Sequence, residues 1–269
     1  MTIDLATFVE PLTSTILDAG KKVMDVYGTD FDVYGKDDNS PVTEADRQGE
    51  IVITKALEQL APDIPIVGEE AKSEGMCPDI SQGTFWLVDP LDGTKEFIKK
   101  GNDFTVNIGL IIDNQPVLGF VLAPALNKLY WGIVGTGAWM ADAENGAINN
   151  IQPIQTRKVS TESLVIVASK SHRSLELETW LSNYPMAEHT SIGSSLKFCL
   201  IATGEADLYP RLGPTCEWDT AAAHAVLLAA GGSVDAPDGK PLQYGKDPNT
   251  FLNPYFICKG DPATNTPSL

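Results

Sequence analysis

Residues Trp86–Thr94, WLVDPLDGT, decide how this chain is read. An apolar run ends in two aspartates, Asp89 and Asp92, where carboxylates are costly unless they are paired or bound to a cation. Pro90 fixes one backbone dihedral and Gly93 admits a positive one. A tight turn here can therefore aim both side chains and the Leu91 carbonyl at a common point. A donor set made only of oxygen suits Mg²⁺ or Ca²⁺ rather than zinc.

Working outward, three further acidic segments stand at the edges of regular elements. IVGEE ends an apolar stretch at Glu69 and Glu70, SPVTEAD places Thr43 and Asp46 before the helical pattern Ile51, Ile53, Ala56, Leu57, Leu60, and EWDTAAAHAV sets Asp219 at the start of an alanine-rich helix. Each also has a plain reading. Asp89 and Asp92 are common turn residues, Thr43 to Asp46 forms a capping box, Asp219 is a good N-cap, and Glu70 reads as a solvated or supporting acid. GTGAW, with Gly135 and Gly137, reads as a hairpin turn because no helix follows, and His224 as a packed core histidine. No GxSxG, HExxH or GxxxxGK motif offers a rival chemistry.

The 269 residues carry a net charge of −17, which argues against a nucleic-acid duplex or an anionic membrane as main partner. A small anion remains compatible, since bound metals and a few basic residues reverse the local field. Cys77, Cys199, Cys216 and Cys258 form no CxxC pair and read as reduced thiols of a cytoplasmic protein. Residues 1–28 fit no signal peptide, and no uncharged apolar run reaches the length of about 18 residues that spans a bilayer. Weak peripheral association with the inner membrane is compatible with this reading and not required by it.

Leu5, Phe8, Val9, Leu12, Ile16, Ala19 and Val23 recur at helical spacing, so the chain opens with an amphipathic helix, and a second follows Asp46. Strand-like runs come next over 85–88, 104–112, 117–122 and 129–134, with Asp113 and Asn114 at a hairpin turn. A polar stretch over 148–161 marks a boundary, giving subdomains 1–150 and 151–269. The second half alternates a strand at 164–168, helices at 174–182 and 194–203, a strand at 206–209 and the Asp219 helix. The fold class is mixed α/β (α+β). The polar tail 261–269 is expected to fray.

GEE, DPLDGT and WD, in that order, resemble the inositol monophosphatase superfamily of Mg²⁺-dependent, lithium-sensitive phosphatases, over roughly residues 34–258. KDDNSPVTEAD, DPLDGTKEFIKKGNDFTVNIGLI, SSLKFC and LYPRLGPTCEWDTAAAHAV resemble its CysQ-type 3'(2'),5'-bisphosphate nucleotidase branch more than its inositol or fructose phosphatases.

The resemblance implies a layered α/β/α/β/α sandwich with the site between the halves, and two or three Mg²⁺ ions per site. Glu69, Asp89 and the Leu91 carbonyl would hold one ion and Asp89, Asp92 and Asp219 a second, while Glu69 and Asp46 would share a weaker third with the attacking water. Thr94, oriented by Asp46, would position that water and take its proton. Gly93 and Thr94 N–H groups and Lys95 would meet the phosphate. Ser194, Lys197, Arg211, Lys170 and His172 would receive a second phosphate. The implied reaction removes the 3'-phosphate of adenosine 3',5'-bisphosphate in sulfate assimilation, with 3'-phosphoadenylyl sulfate a second substrate, by a monomer or homodimer. The alternatives are an inositol or sugar monophosphatase using the same metals, and a catalytically idle regulatory protein of this fold.

Overall fold

The computed structural model describes residues 3–35, 41–159, 164–169, 174–185 and 187–267. After a 3₁₀ turn at Leu5–Phe8 come helices α1 (Val9–Tyr27) and α2 (Glu44–Leu60), separated by short strands β1 (Val33–Gly35) and β2 (Pro41–Thr43). Strand β3 (Ile66–Gly68) leads into the five-residue helix α3 (Glu69–Ser73), and strand β4 (Phe85–Asp92) into another, α4 (Thr94–Ile98). Five antiparallel strands follow: β5 (Thr105–Ile112), β6 (Gln115–Ala123), β7 (Lys128–Ile133), β8 (Gly137–Glu144) and β9 (Ala147–Ile154). The remainder is β10 (Val165–Ser169), α5 (Leu175–Leu181), β11 (Glu188–Ile192), α6 (Leu196–Ala202), β12 (Leu208–Arg211), α7 (Ala221–Ala229), β13 (Ser233–Asp235) and β14 (Phe256–Lys259).

Strands β3 to β9 form a seven-stranded sheet in sequence order, with only the β3–β4 pair parallel. A five-stranded sheet has the order β11-β10-β12-β14-β13. Three apolar clusters fix the layers. The first joins α1 and α2 to one face of the large sheet through Leu12, Ile16, Val23, Ile53 and Leu57. The second fills the space between the sheets around α6 and α7. The third packs Leu177, Trp180 and Leu181 of α5 against the outer face of the small sheet. The order is α/β/α/β/α, as expected from the resemblance.

Helix α7 lies against the large sheet on a row of glycines. Gly109, Gly119 and Gly132 pair across neighbouring strands β5, β6 and β7, and a Cβ at Gly119 would stand 2.0 Å from the Ala222 carbonyl oxygen. The helix answers with Ala221, Ala222 and Ala225, so small residues on both sides let backbones approach. This contact sets the height of α7, and with it the turn before α7 that carries Asp219.

The opening helix, the hairpin at Asp113 and Asn114 (φ 51° and 61°) and the Gly135–Gly137 turn occur where expected. All four cysteines are free. Helix α2 starts at Glu44, ahead of Asp46, and Ile51 is 66% exposed, off the core face that Ile53 and Leu57 occupy. Strand β4 runs on to Asp92, so Asp89–Asp92 is an irregularity within a strand rather than a turn after one. The polar stretch 148–161 begins inside β9, the exposed edge of the large sheet. Strands β11, β13 and β14 carry too little alternation to be read in advance. Among the described residues no helix is long and apolar enough to cross a membrane.

Gly119→Ala is expected to lower unfolding stability by about 3 kcal/mol, the upper end of an overpacking penalty, because the obstructing atoms are backbone and cannot rotate away. Chemical denaturation would check it; a loss below about 0.5 kcal/mol would show that α7 can shift freely.

Candidate active site

The carboxylates are delivered at or near element ends, and hydrogen bonds orient Asp46, Asp89 and Asp219. Asp46 occupies the third position of α2, where its Oδ2 accepts from Thr43 N (2.7 Å) and Thr43 Oγ1 (2.8 Å) in a reciprocal capping box. Glu69 opens α3. Beneath it the buried Glu50 of α2 accepts from Glu70 N (2.8 Å) and Ala71 N (2.7 Å), capping that short helix. Gly68 leaves the space, since a Cβ there would meet the Glu50 carboxylate at 2.5 Å. Asp219 turns back on its own loop, where Oδ2 accepts from Thr215 Oγ1 (2.5 Å) and Cys216 N (2.9 Å). It therefore precedes α7 without capping it.

Asp89 is buried, its Oδ1 accepts from Leu91 N (2.9 Å), and its Oδ2 has no hydrogen-bond partner among the described residues. Glu69, Asp89 and Asp219 each offer one oxygen within 4.8 Å of the others. Burial, followed by the charges of Glu69, Asp92 and Asp219, raises the Asp89 carboxyl well above the ordinary range. Asp92 rises to about 7, chiefly through burial and then through Asp219, opposed by Lys197 and by a hydrogen bond from the Ser195 backbone N–H. A buried acid oxygen without a donor, facing further acid oxygens, fits a hard divalent cation: the ion supplies the missing partner and removes the repulsion. Glu69, Asp89 and Asp219 would hold it, with Asp92 adjacent.

Thr94, the first residue of α4, directs its hydroxyl at the Leu91 carbonyl (3.1 Å) and Asp46 Oδ1 (3.3 Å). Gly93 before it has φ 99°, and a Cβ there would stand 2.9 Å from the Asp103 carbonyl oxygen, so only glycine serves. The Thr94–Asp46 contact and the left-handed Gly93 both agree with the sequence reading.

The carboxylates face a cleft of about 710 Å³ that Ser194, Lys197 and Arg211 also line, with Lys95 exposed at its side. Lys197 is buried and donates to the carbonyls of Ser194 (2.5 Å) and Ile192 (3.3 Å). Burial lowers its pKa to about 8, with Asp92 working against the shift and Arg211 adding to it. Arg211 Nε donates to the Gly213 carbonyl (3.2 Å), and its Nη2 donates to that of Pro214. Lys170 and His172 lie outside the described residues. Glu70 is buried rather than solvated. His224 is a core residue as expected, bonded to Tyr244 OH (2.9 Å), and burial depresses its pKa to about 3. Sequence reading missed Glu50 and Thr215, although Glu50 follows Asp46 by one helical turn and Thr215 precedes Asp219 by four residues.

Fold and site together define a layered α/β/α/β/α protein with an all-oxygen, acid-rich centre built for a hard cation. Residues 4–266 match the inositol monophosphatase family. The chain is 48% identical over 240 residues to the 3'(2'),5'-bisphosphate nucleotidase CysQ of Escherichia coli (strain K12), covering 88% of this chain and 94% of that protein. It is 32% identical over 253 residues to the protein of the same name from Haemophilus influenzae, covering 93% and 92%. CysQ from Bacteroides thetaiotaomicron, a solved bacterial member of the inositol monophosphatase family, superposes with a TM-score of 0.76 at 36% identity over 95% of this chain and 98% of that one. Inositol monophosphatase from Anabaena superposes with a TM-score of 0.75 at 24% identity over 97% and 93%, a likeness of fold. This chain belongs to the inositol monophosphatase family.

The raised carboxyls give a signed pH dependence. A carboxyl whose folded pKa exceeds its unfolded value stabilises the metal-free protein at low pH and loses that contribution as pH rises through the folded pKa. For Asp92 the loss falls between about 4 and 7. A cation must displace those protons, so Mg²⁺ is expected to raise Tm more at pH 8 than at pH 5.5, relative to EDTA at each pH. An equal or larger shift at pH 5.5 would contradict the assignment.

Proposed function

We propose that this chain is a Mg²⁺-dependent 3'(2'),5'-bisphosphate nucleotidase that hydrolyses the 3'-phosphate of adenosine 3',5'-bisphosphate, giving AMP and phosphate, and accepts 3'-phosphoadenylyl sulfate as a second substrate. The observation that carries the reading is the pairing, within one cleft, of an acid cluster suited to cations with two inward cations, Lys197 and Arg211, suited to a second phosphate. The identity to CysQ proteins over most of the chain supports the same reading. The proposed setting is cytoplasmic sulfur assimilation, where the bisphosphate is a by-product of sulfonyl transfer.

Bound at Glu69, Asp89, the Leu91 carbonyl, Asp92 and Asp219, about two or three Mg²⁺ ions would polarise the phosphoryl group, acidify water and neutralise the leaving oxygen. The residues supply position and a proton path. Asp46 keeps Oδ2 on Thr43 and turns Oδ1 to Thr94, so the threonine hydroxyl can give its proton to Asp46 while its lone pairs accept one from water. Glu69, with Asp46, would help hold a weaker third ion, whose contribution would be to acidify the water beside Thr94. Gly93 and Thr94 N–H groups at the start of α4, with Lys95, would hold the reacting phosphate.

In the same cleft Lys197 uses two of its three donors on carbonyls, leaving one for an anion. Arg211 retains N–H groups for a bidentate contact after its two carbonyl bonds. Ser194 lines the same cleft. An inositol ester lacks the second phosphate that Lys197 and Arg211 are suited to meet.

The direct test is phosphate release from adenosine 3',5'-bisphosphate and inositol 1-phosphate in parallel, with Mg²⁺, with EDTA, and with Mg²⁺ plus lithium. Preference for the bisphosphate that is abolished by EDTA and reduced by lithium is expected; preference for the inositol ester would overturn the substrate while keeping the metal chemistry. Asp92→Asn is expected to cut kcat at least about a hundredfold while the fold survives by circular dichroism. Lys197→Ala is expected to raise KM for the bisphosphate about tenfold, the worth of one charge-assisted hydrogen bond, and KM for a monophosphate far less. Equal effects would remove Lys197 from the distal phosphate.

A further inference from the structure

Beside the acid cluster three polar side chains are almost fully enclosed: Thr105 (0% exposed), Asn107 (1%) and Ser195 (2%). Thr105 and Asn107 alternate on β5, and their partners across the ladder in β4 are Asp92 and Asp89. Opposed residues in an antiparallel pair project to the same face. Ser195 comes from the other sheet's side of the molecule, at the N-terminal end of α6.

The three close a ring. Ser195 Oγ donates to Asn107 Oδ1 (2.8 Å), Asn107 Nδ2 donates to Thr105 Oγ1 (3.2 Å), and Thr105 and Ser195 share a hydroxyl contact of 2.8 Å. With the Ser195 proton directed to Asn107, the Thr105 hydroxyl donates to Ser195, and each hydroxyl donates once and accepts once. A chain packed only for stability would serve as well with apolar residues here, since a buried polar group gains little net stability. The ring therefore asks for another reason.

Ser195 gives one. Its side chain is tied to Thr105, the ladder partner of Asp92, and its backbone N–H faces the Asp92 carboxylate closely enough to oppose the rise in that group's pKa. The residue before it, Ser194, is held at φ 50°, in the left-handed region, and Lys197 folds its ammonium back to the Ser194 carbonyl at 2.5 Å. One turn thus faces a proposed metal ligand and holds a proposed phosphate-binding lysine through the Ser194 carbonyl, while the ring ties the turn to Thr105, the ladder partner of that metal ligand.

We propose that Thr105, Asn107 and Ser195 are positioning residues that lock the 193–197 turn to β5, so that Asp92 and Lys197 are set together and cation binding is coupled to binding of the second phosphate. This inference rests on the metal-site reading above. The FTVN segment that carries Thr105 and Asn107 thereby acquires a role that neither residue would have through direct contact with substrate.

The test is calorimetric titration of Mg²⁺ into the wild type, Ser195→Ala and Thr105→Val, each deletion removing one hydroxyl with little change of shape, and Thr105→Ser, which retains it. Both deletions are expected to weaken Mg²⁺ binding about tenfold, the scale of effect seen for groups that orient metal ligands, and to raise KM for the bisphosphate at saturating Mg²⁺, while Thr105→Ser stays within twofold of wild type. Deletions that lower Tm yet bind Mg²⁺ within twofold of wild type would make the ring structural only and overturn the proposal. Loss of folding in both deletions would also overturn it, because the ring would then be a determinant of folding. Because the titration uses no substrate, failure of the nucleotidase reading leaves it intact; failure of wild type to bind Mg²⁺ would instead sink the metal site.

Discussion

Glu69, Asp89 and Asp219 bring acid oxygens within 4.8 Å of one another, and one of those residues is almost wholly enclosed. At an effective dielectric constant near 20 each ionised pair at this separation repels by roughly 3 kcal/mol. No arginine or lysine forms an ion pair with Asp89 among the described residues, and its Oδ2 has no donor. The cluster is tolerable as acid at low pH or as a ligand set at neutral pH, and the surrounding hydrogen bonds are arranged around that choice. Where the protein donates to these carboxylates, it engages one oxygen of Asp46 through the capping box and the other through Thr94, and one oxygen of Asp219 through Thr215 and Cys216.

The layered scaffold exists, from the site's point of view, to make three distant segments meet. Strand β4 supplies Asp89 and Asp92 from the large sheet, α3 supplies Glu69 beside it through the parallel β3–β4 pair, and α7 brings Asp219 across from the second half. The glycine row under α7 matters because an ordinary side chain at Gly119 would collide with the helix backbone and displace the Asp219 turn. Burial and electrostatics then share one geometry: the same close packing that makes the core stable removes water from the acids and raises their pKa.

Much of the site was legible because its chemistry leaves a mark on residue type. Asp89, Pro90, Asp92 and Gly93 announce an acid-bearing kink in any context, and the Thr43–Asp46 box has a local spacing that needs no tertiary information. The long amphipathic helix and the β5–β6 hairpin were legible for the same reason: periodicity and turn residues are local. What escaped is long-range. Glu50 as a cap on α3, Thr215 as a donor to Asp219 and the polar ring on β5 depend on contacts between segments far apart in sequence, or on a turn whose direction a linear reading cannot supply. The short strands β11, β13 and β14 draw their identity from neighbours, and Ile51 shows the converse, an apolar residue placed outside by a helix whose start lies ahead of the expected one.

The most direct check on this account is the anomalous difference map of a crystal soaked in Mn²⁺, an oxygen-seeking stand-in for Mg²⁺. The account predicts a peak within coordination distance of Asp89 Oδ2 and bounded by Glu69 and Asp219. A cleft with no peak at Asp89, in crystals where Mn²⁺ binds elsewhere on the acidic surface, would contradict the claim that a cation resolves the repulsion on which the site is built.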